Sequence, residues 1–403
     1  MSPVKLPTHI KYRAIPVRKI LTDMKNFSSL IIDLAYYALV YNDKKLANEV
    51  LRIEEYIDEL WNLLVMQASL SVRDAEDAES MVGVMKLASA TNKISDAAGD
   101  LAVLTLLNMP LHDSVRVAII SGEEVVSRIK IREGSVIANK TIGNVFSQLN
   151  IALDIIAARK GHSWTFSPME SYVLETGDVI IVRGPREAVN KLRHEAKDKI
   201  TREEKVEHVE TAEKEIAREL IALKDLGEFM LDLAYLAIIT NNKDLALEVL
   251  ELEEYIDQTH IDLERKVITK LKNANPEEIV TILRTIISFE NIADAAAEIA
   301  GIVVSEIPPH PILKTVIEES EERVVIVQVP KELENKRISD LNLSLHGAVI
   351  VALRRNHEWI LNPSDDVVLR SGDRLIVRFY KESSKQVREA LKVSEDIWEK
   401  RFK

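Results

Sequence analysis

Apolar positions in residues 17–108 return at spacings of three and four, the period of a helix that buries one face. Leu30, Leu34, Ala38 and Tyr41 make the first stripe. Val50, Ile53, Ile57, Leu60 and Leu64 make the second, which runs to about Val72. Leu87, Ala90, Ile94, Ala97, Leu101 and Leu104 make the third, from about Ala75 to Leu107. Asn42-Asp43 breaks the first helix and caps the next, and Pro110 stops the third. Long helices joined by short turns predict an antiparallel three-helix bundle. The period then changes. Val115–Ile120 and Val125–Ile131 read as strands, Thr141–Leu149 as a short helix and Ile151–Ala158 as a strand. Arg159-Lys160-Gly161-His162 reads as a turn, Val179–Val182 as a buried strand and Pro185–Lys197 as a closing helix. Together these make a small α+β module.

The same order then repeats. EVLRIEEYID (Glu49–Asp58) returns as EVLELEEYID (Glu248–Asp257) with eight of ten residues identical, so the chain is a tandem duplication. LDLAYLAIITNNKDLALEVL (231–250) answers IDLAYYALVYNDKKLANEVL (32–51), matching Asp232 to Asp33. NIADAAAEIA (291–300) answers KISDAAGDLA (93–102). In the α+β part ENKRISDLNL answers ANKTIGNVFS, RRNHEW answers RKGHSW, and SGDRLIV answers TGDVIIV. The fold class expected is a multidomain protein of α and α+β parts, internally duplicated. Its divisions are an N-terminal arm (1–17), a bundle (18–110), an α+β module (111–195), a charged linker (196–214), a second bundle (215–308) and a second α+β module (309–403).

Composition narrows the function classes. The 403 residues carry a formal net charge of −12, against a nucleic-acid partner, which calls for a basic face. Cysteine is absent, which removes disulfides, thiolate metal ligands and a cysteine nucleophile. No apolar run reaches the ~18 residues of a membrane helix, and the N-terminus lacks the apolar segment of a signal peptide. G-x-S-x-G, H-E-x-x-H and a P-loop lysine are missing, so no enzymatic role is expected.

Two family resemblances follow from the repeated motifs. The helical modules resemble PhoU domains, through A-x-x-V-x-x-x-E-x-x-I-D (Ala47 to Asp58; Ala246 to Asp257) and E-x-x-x-D-x-A (Glu290 to Ala296). The α+β modules resemble the C-terminal TrkA domain, also called RCK_C. The marks are N-K-x-I (Asn139–Ile142; Asn335–Ile338), a strand ending in Arg159 or Arg354, a proline after the tryptophan, and x-G-D-x-(I/L)-I-V. The absence of G-x-G-x-x-G means that NAD is not expected. The resemblance implies a cytoplasmic regulator, peripheral to the membrane, of a potassium or other cation transporter or channel. It implies a small ligand, cyclic di-AMP in some members of the family, held between paired RCK_C modules. Those modules would pair within one chain as a pseudo-dimer, or between copies in a homo-oligomer. A PhoU-type regulator of phosphate uptake and a non-catalytic scaffold are the alternatives.

Candidate chemistry lies in the repeated acids. Glu54 and Asp58, like Glu253 and Asp257, are one helical turn apart on a common face. Glu290, Asp294 and Glu298 form a ladder on the third helix of the second copy, answered by Asn92, Asp96 and Asp100 in the first. Facing carboxylates from neighbouring helices hold metals in bundles, and oxygen-only ligands suit Mg²⁺, Ca²⁺ or Mn²⁺. The PhoU resemblance adds iron to these ions. Because Asn92 stands where Glu290 does, the second copy is the stronger candidate. The same acids also suit a solvated helix face. Arg159, His162, Arg354 and His357 are the candidate ligand residues of the α+β modules, where charge-assisted bonds would meet a phosphate.

Overall fold

The computed structural model describes residues 11–120, 124–161, 163–199, 211–305, 310–318, 322–356, 358–361 and 363–399. The first half opens with α1 (Val17–Tyr41), α2 (Lys44–Ser71) and α3 (Ala75–Leu106), each packed on the other two. Asn42 turns the chain at φ 50°, and the Asp43 carboxylate then accepts from the Lys45 and Leu46 amides at 3.1 Å, starting α2.

Residues 115–120, whose apolar run suggested a strand, lie instead in a helix, α4 (Asp113–Ile120). His112 starts it: its carbonyl accepts from the Val115 and Arg116 amides, and its ring nitrogen accepts from Ser114. Val115, Ala118 and Ile119 are buried at helical spacing, against α7 of the other half. A short run apolar on nearly every residue does not reveal its period.

The first α+β module comprises β1 (Glu124–Lys130), β2 (Lys140–Thr141), α5 (Ile142–Leu149), β3 (Asp154–Lys160), β4 (Ser163–Phe166), β5 (Val173–Leu174), β6 (Val179–Pro185) and α6 (Arg186–Glu195). Its main sheet has the order β1-β6-β3-β4, all antiparallel; β2 pairs with β5. Arg159 and Lys160, read as a turn, belong to β3, which pairs with the unanticipated β4 across Gly161.

The second half repeats the plan with α7 (Thr211–Thr240), α8 (Lys243–Lys270), α9 (Pro276–Val304) and α10 (Pro311–Glu318). Then come β7 (Glu322–Gln328), β8 (Ala348–Arg355), β9 (Glu358–Leu361), β10 (Arg374–Tyr380), α11 (Ser384–Ala390) and α12 (Glu395–Glu399). The sheet order is β7-β10-β8-β9, matching the first strand for strand. Asn242 caps α8 as Asp43 caps α2. Residues 1–10 of the arm and 200–210 of the linker lie outside the described residues.

The two halves share one core. α3 packs along α9, Tyr36 meets Phe289 edge-on with ring centroids 6.0 Å apart, and α10 packs on α1, α3 and α7. Each sheet is apolar on both faces, and alternation decides what each face meets. On β6, Ile180 and Val182 enter the core of their own module, whereas Ile181 joins the helical core. On β10, Leu375 and Val377 face inward and Ile376 faces the helices. The residues two further on, Arg183 and Arg378, share the helix-facing side.

Candidate functional site

Like meets like between the α+β modules. The Ala152 amide donates to the Leu345 carbonyl at 2.9 Å, and the Tyr380 hydroxyl to the Arg183 carbonyl at 3.2 Å. The Ser344 hydroxyl donates to Glu187 at 3.1 Å. Gly347, at φ 61°, lies so close that a Cβ there would be 2.7 Å from the Ala152 carbonyl oxygen. Beside this contact runs a groove bounded by both modules, with Thr141, Asn144, Asn150, Glu170, His346 and Gln386 among its walls.

Arg159 and Arg354 stand elsewhere. The Arg159 guanidinium lies over the Trp164 ring, 5.2 Å from its centroid, and 3.9 Å from Asp43. Arg354 lies 5.1 Å over Trp359 and 3.4 Å from Glu248. Each arginine ties its module to the second helix of its own bundle. His162 and His357 lie outside the described residues.

The acidic ladders do converge. Glu253 and Asp257 on α8 and Asp294 on α9 each offer an oxygen within 4.8 Å of the other two, all half-buried. Among the described residues this is the one such grouping. Lys93, from the first half, makes an ion pair with Asp294. Burial, then the Asp294 charge and a hydrogen bond to it, push Glu290 up to about 7; burial and then Asp257 and Asp294 raise Glu253. Glu298 borders the adjoining groove with Lys93, Glu253 and Asp294. An all-oxygen set of crowded carboxylates on two helices fits a hard divalent cation. Glu253, Asp257 and Asp294 are the residues that would hold it.

The first-half acids cluster differently. Burial, then Asp96, Asp58 and Asp100, push Glu54 up to about 7, and burial, then Asp58 and Asp100, push Asp96 up to about 6. Glu54 leans over Gly99, where a Cβ would be 2.4 Å from its carboxylate oxygen; Ala297 occupies the corresponding place on α9.

Sequence reasoning overlooked a third feature, a buried charge network where all four modules meet. Arg183 is 2.9 Å from Asp33 on α1, 3.4 Å from Asp154 and 3.5 Å from Glu322. Arg378 is 3.3 Å from Asp232 on α7 and 3.7 Å from the same Glu322. Glu322 thus bridges the two halves. Burial opposes its ionisation, but Arg183 and Arg378 overcome this and lower its pKa. Burial pushes Asp33 up to about 7 despite Arg183. The available signal was the repeated arginine after each x-G-D-x-(I/L)-I-V, together with an aspartate repeated inside an apolar helix stripe.

These shifts set a pH dependence. Asp33, Glu54 and Glu290 hold protons to about 7 and Asp96 to about 6, whereas an unfolded chain releases them near pH 4. Between those limits the folded state binds more protons, so their contribution to stability falls as pH rises from about 4 to 7. Urea unfolding with a chelator present is expected to give a lower midpoint at pH 8 than at pH 5.5, and Glu54→Gln to narrow the gap. A midpoint that rises over that range would contradict the assignment.

A duplicated pair of helical bundles, each carrying a small antiparallel α+β module and joined to the other half through buried ion pairs, defines an alternating, internally repeated class of architecture. Family models give the particulars: the PhoU domain matches residues 21–105 and 220–303, and the TrkA-C domain matches residues 126–197 and 323–392. The chain therefore carries two PhoU domains alternating with two TrkA-C domains. PhoU from Pseudomonas aeruginosa is similar at 16% identity, over 72% of this chain and 93% of that one, with a TM-score of 0.36. The phosphate transport system regulatory protein PhoU from Streptococcus pneumoniae is similar at 12% identity, over 72% and 96%, with a TM-score of 0.36. The GsuK RCK domain is similar at 13% identity over 79% of each chain, with a TM-score of 0.18. No curated protein matches. Among the described residues no helix is long and apolar enough to cross a membrane.

Proposed function

We propose that this chain is a non-catalytic regulator of a membrane cation transporter. Its paired TrkA-C modules sense a small ligand, and its PhoU bundles pass the signal on. The observation that carries this reading is the shared carboxylate of Glu322, which couples Arg183 of one module to Arg378 of the other. Each arginine also holds an aspartate of its own bundle, Asp33 or Asp232. A ligand that favours one arrangement of the module pair therefore biases the bundles too. Hydrogen exchange with and without cyclic di-AMP tests this. Protection is expected to rise along the inter-module groove and to change in α1 and α7. Binding with no change in those helices would refute the coupling; a failure to bind would refute the choice of ligand class.

The convergence of Glu253, Asp257 and Asp294 favours a second reading, a PhoU-type regulator of phosphate uptake that works through a bound divalent cation. Protein purified without chelator is then expected to contain manganese, iron, magnesium or calcium by elemental analysis. Asp257→Asn with Asp294→Asn should lower that content at least about tenfold, as loss of two anionic ligands from an oxygen site implies. Unchanged metal content in the double variant would dismiss these ligands.

A further inference from the structure

We propose that the cavity at the junction of the four modules binds a small oxyanion, a carboxylate or an inorganic oxyanion, through Lys25, Tyr36 and Arg183. This site is separate from both the inter-module groove and the acidic cluster of α8 and α9. The cavity has a volume of about 110 Å³ and takes walls from α1, α7, β6, β7 and β10. A single water needs only ~10–15 Å³ on this measure, so there is room for a polyatomic guest.

The walls are unevenly satisfied. Every acid lining the cavity has a basic partner: Asp33 has Arg183, Glu228 has Lys224, Asp232 has Arg378, Glu318 has Lys314, and Glu322 has both arginines. Lys25, only 4% exposed, forms no ion pair among the described residues. Its ammonium lies over the Tyr235 ring, 4.7 Å from the centroid. Tyr36, 2% exposed, keeps its hydroxyl buried without a hydrogen-bond partner, and so does the Nε–H of Arg183. Two wall oxygens, Asp33 Oδ2 and Glu318 Oε1, also lack a hydrogen bond, but each faces its own cation, Arg183 or Lys314. The Lys25 ammonium, the Tyr36 hydroxyl and the Arg183 Nε–H have no such partner among the described residues and call for an acceptor that carries negative charge.

A buried ammonium without a counter-ion is costly, and burial accordingly lowers the pKa of Lys25, with Glu322 and Asp232 as the nearest opposing charges. Those two carboxylates are engaged by Arg378, which leaves the Lys25 charge for the guest. They also limit its size and charge, because a bulky polyanion would approach them. The repeated pairs Lys25/Lys224 and Tyr36/Tyr235 place the site near the relation between the halves. The pairs have diverged: Asn26 and Ser29 answer Asp225 and Glu228, and these two acids occupy Lys224 but leave Lys25 without a partner.

The test is thermal unfolding of the full chain, with chelator present, in sodium acetate, sulfate or phosphate against sodium chloride at equal ionic strength. At least one oxyanion is expected to raise Tm by about 2–5 °C at a hundredfold excess over its Kd. Lys25→Met should abolish that rise while unfolding at a higher temperature than the parent in chloride, since it removes an unpaired buried charge. Tyr36→Phe, which keeps the ring, should weaken the response at least about fivefold in midpoint concentration, as loss of one charge-assisted hydrogen bond implies. The proposal is overturned if no oxyanion exceeds chloride, or if Lys25→Met responds like the parent. Should Lys25→Met not fold, an undiminished response in Tyr36→Phe overturns it.

Discussion

Arg183→Ala is expected to cost about 3–5 kcal/mol of stability, the range for removing one partner of a buried ion pair. The residue has three carboxylate partners, at 2.9 Å (Asp33), 3.4 Å (Asp154) and 3.5 Å (Glu322). Without it Asp33, which is 8% exposed, would lose the guanidinium it pairs with and hold its proton to a still higher pH. Arg378→Ala should act in the same direction. Both arginines share Glu322, so the double variant should not equal the sum of the singles. Urea unfolding of the four forms measures the coupling. Additivity within about 0.3–0.5 kcal/mol would mean that Glu322 does not join the halves. A loss below about 1 kcal/mol for Arg183→Ala would mean that solvent replaces it without difficulty.

Gly347→Ala should separate the two TrkA-C modules. A left-handed backbone costs an alanine about 1–2 kcal/mol by itself. Here the new Cβ would also be 2.7 Å from a ring carbon of Tyr380 and 2.7 Å from the Ala152 carbonyl oxygen, a backbone atom of the other module that cannot give way without shifting the seam. Overpacking of that kind adds about 1–3 kcal/mol. Gly161→Ala is the control: φ is also +61°, but nothing lies within 4 Å of the added Cβ. The Gly347 variant should therefore lose about 1–3 kcal/mol more than the Gly161 variant in parallel unfolding curves. It should also speed hydrogen exchange at the Ala152 amide, which bonds to Leu345 across the seam. Equal losses at the two positions would show that the seam yields freely.

Much of this was legible in the sequence, for identifiable reasons. Six long helices carry their own period, and Asp43 and Asn242 mark where α2 and α8 begin. Duplication makes N-K-x-I, x-G-D-x-(I/L)-I-V and the E-x-x-I-D pattern each occur twice, in register, and so marks the four domains. The acids Glu253 and Asp257 share one helical face, Asp294 stands on the next helix, and the fold brings the three together. Short apolar runs misled: Val115–Ile120 has a helix's burial pattern, but only its partner α7, roughly a hundred residues on, makes that visible. The repeat marks Arg183, but its partners are hidden for the same reason. Nothing within its own strand announces that its partners are Asp33 and Glu322, well over a hundred residues away on either side. Arg159 and Arg354 suit phosphate ligands by their place at the strand-end turns, yet strand pairing carries each onto a tryptophan face.

Glu322 is a junction that two separate chains would have to form by colliding, and that dilution would undo. Within one polypeptide the tether keeps the effective concentration of the second half high at any protein concentration. That junction itself should thus not come apart on dilution. Its two sides are also free to differ residue by residue, so a stimulus arriving at one side need not be felt identically at the other.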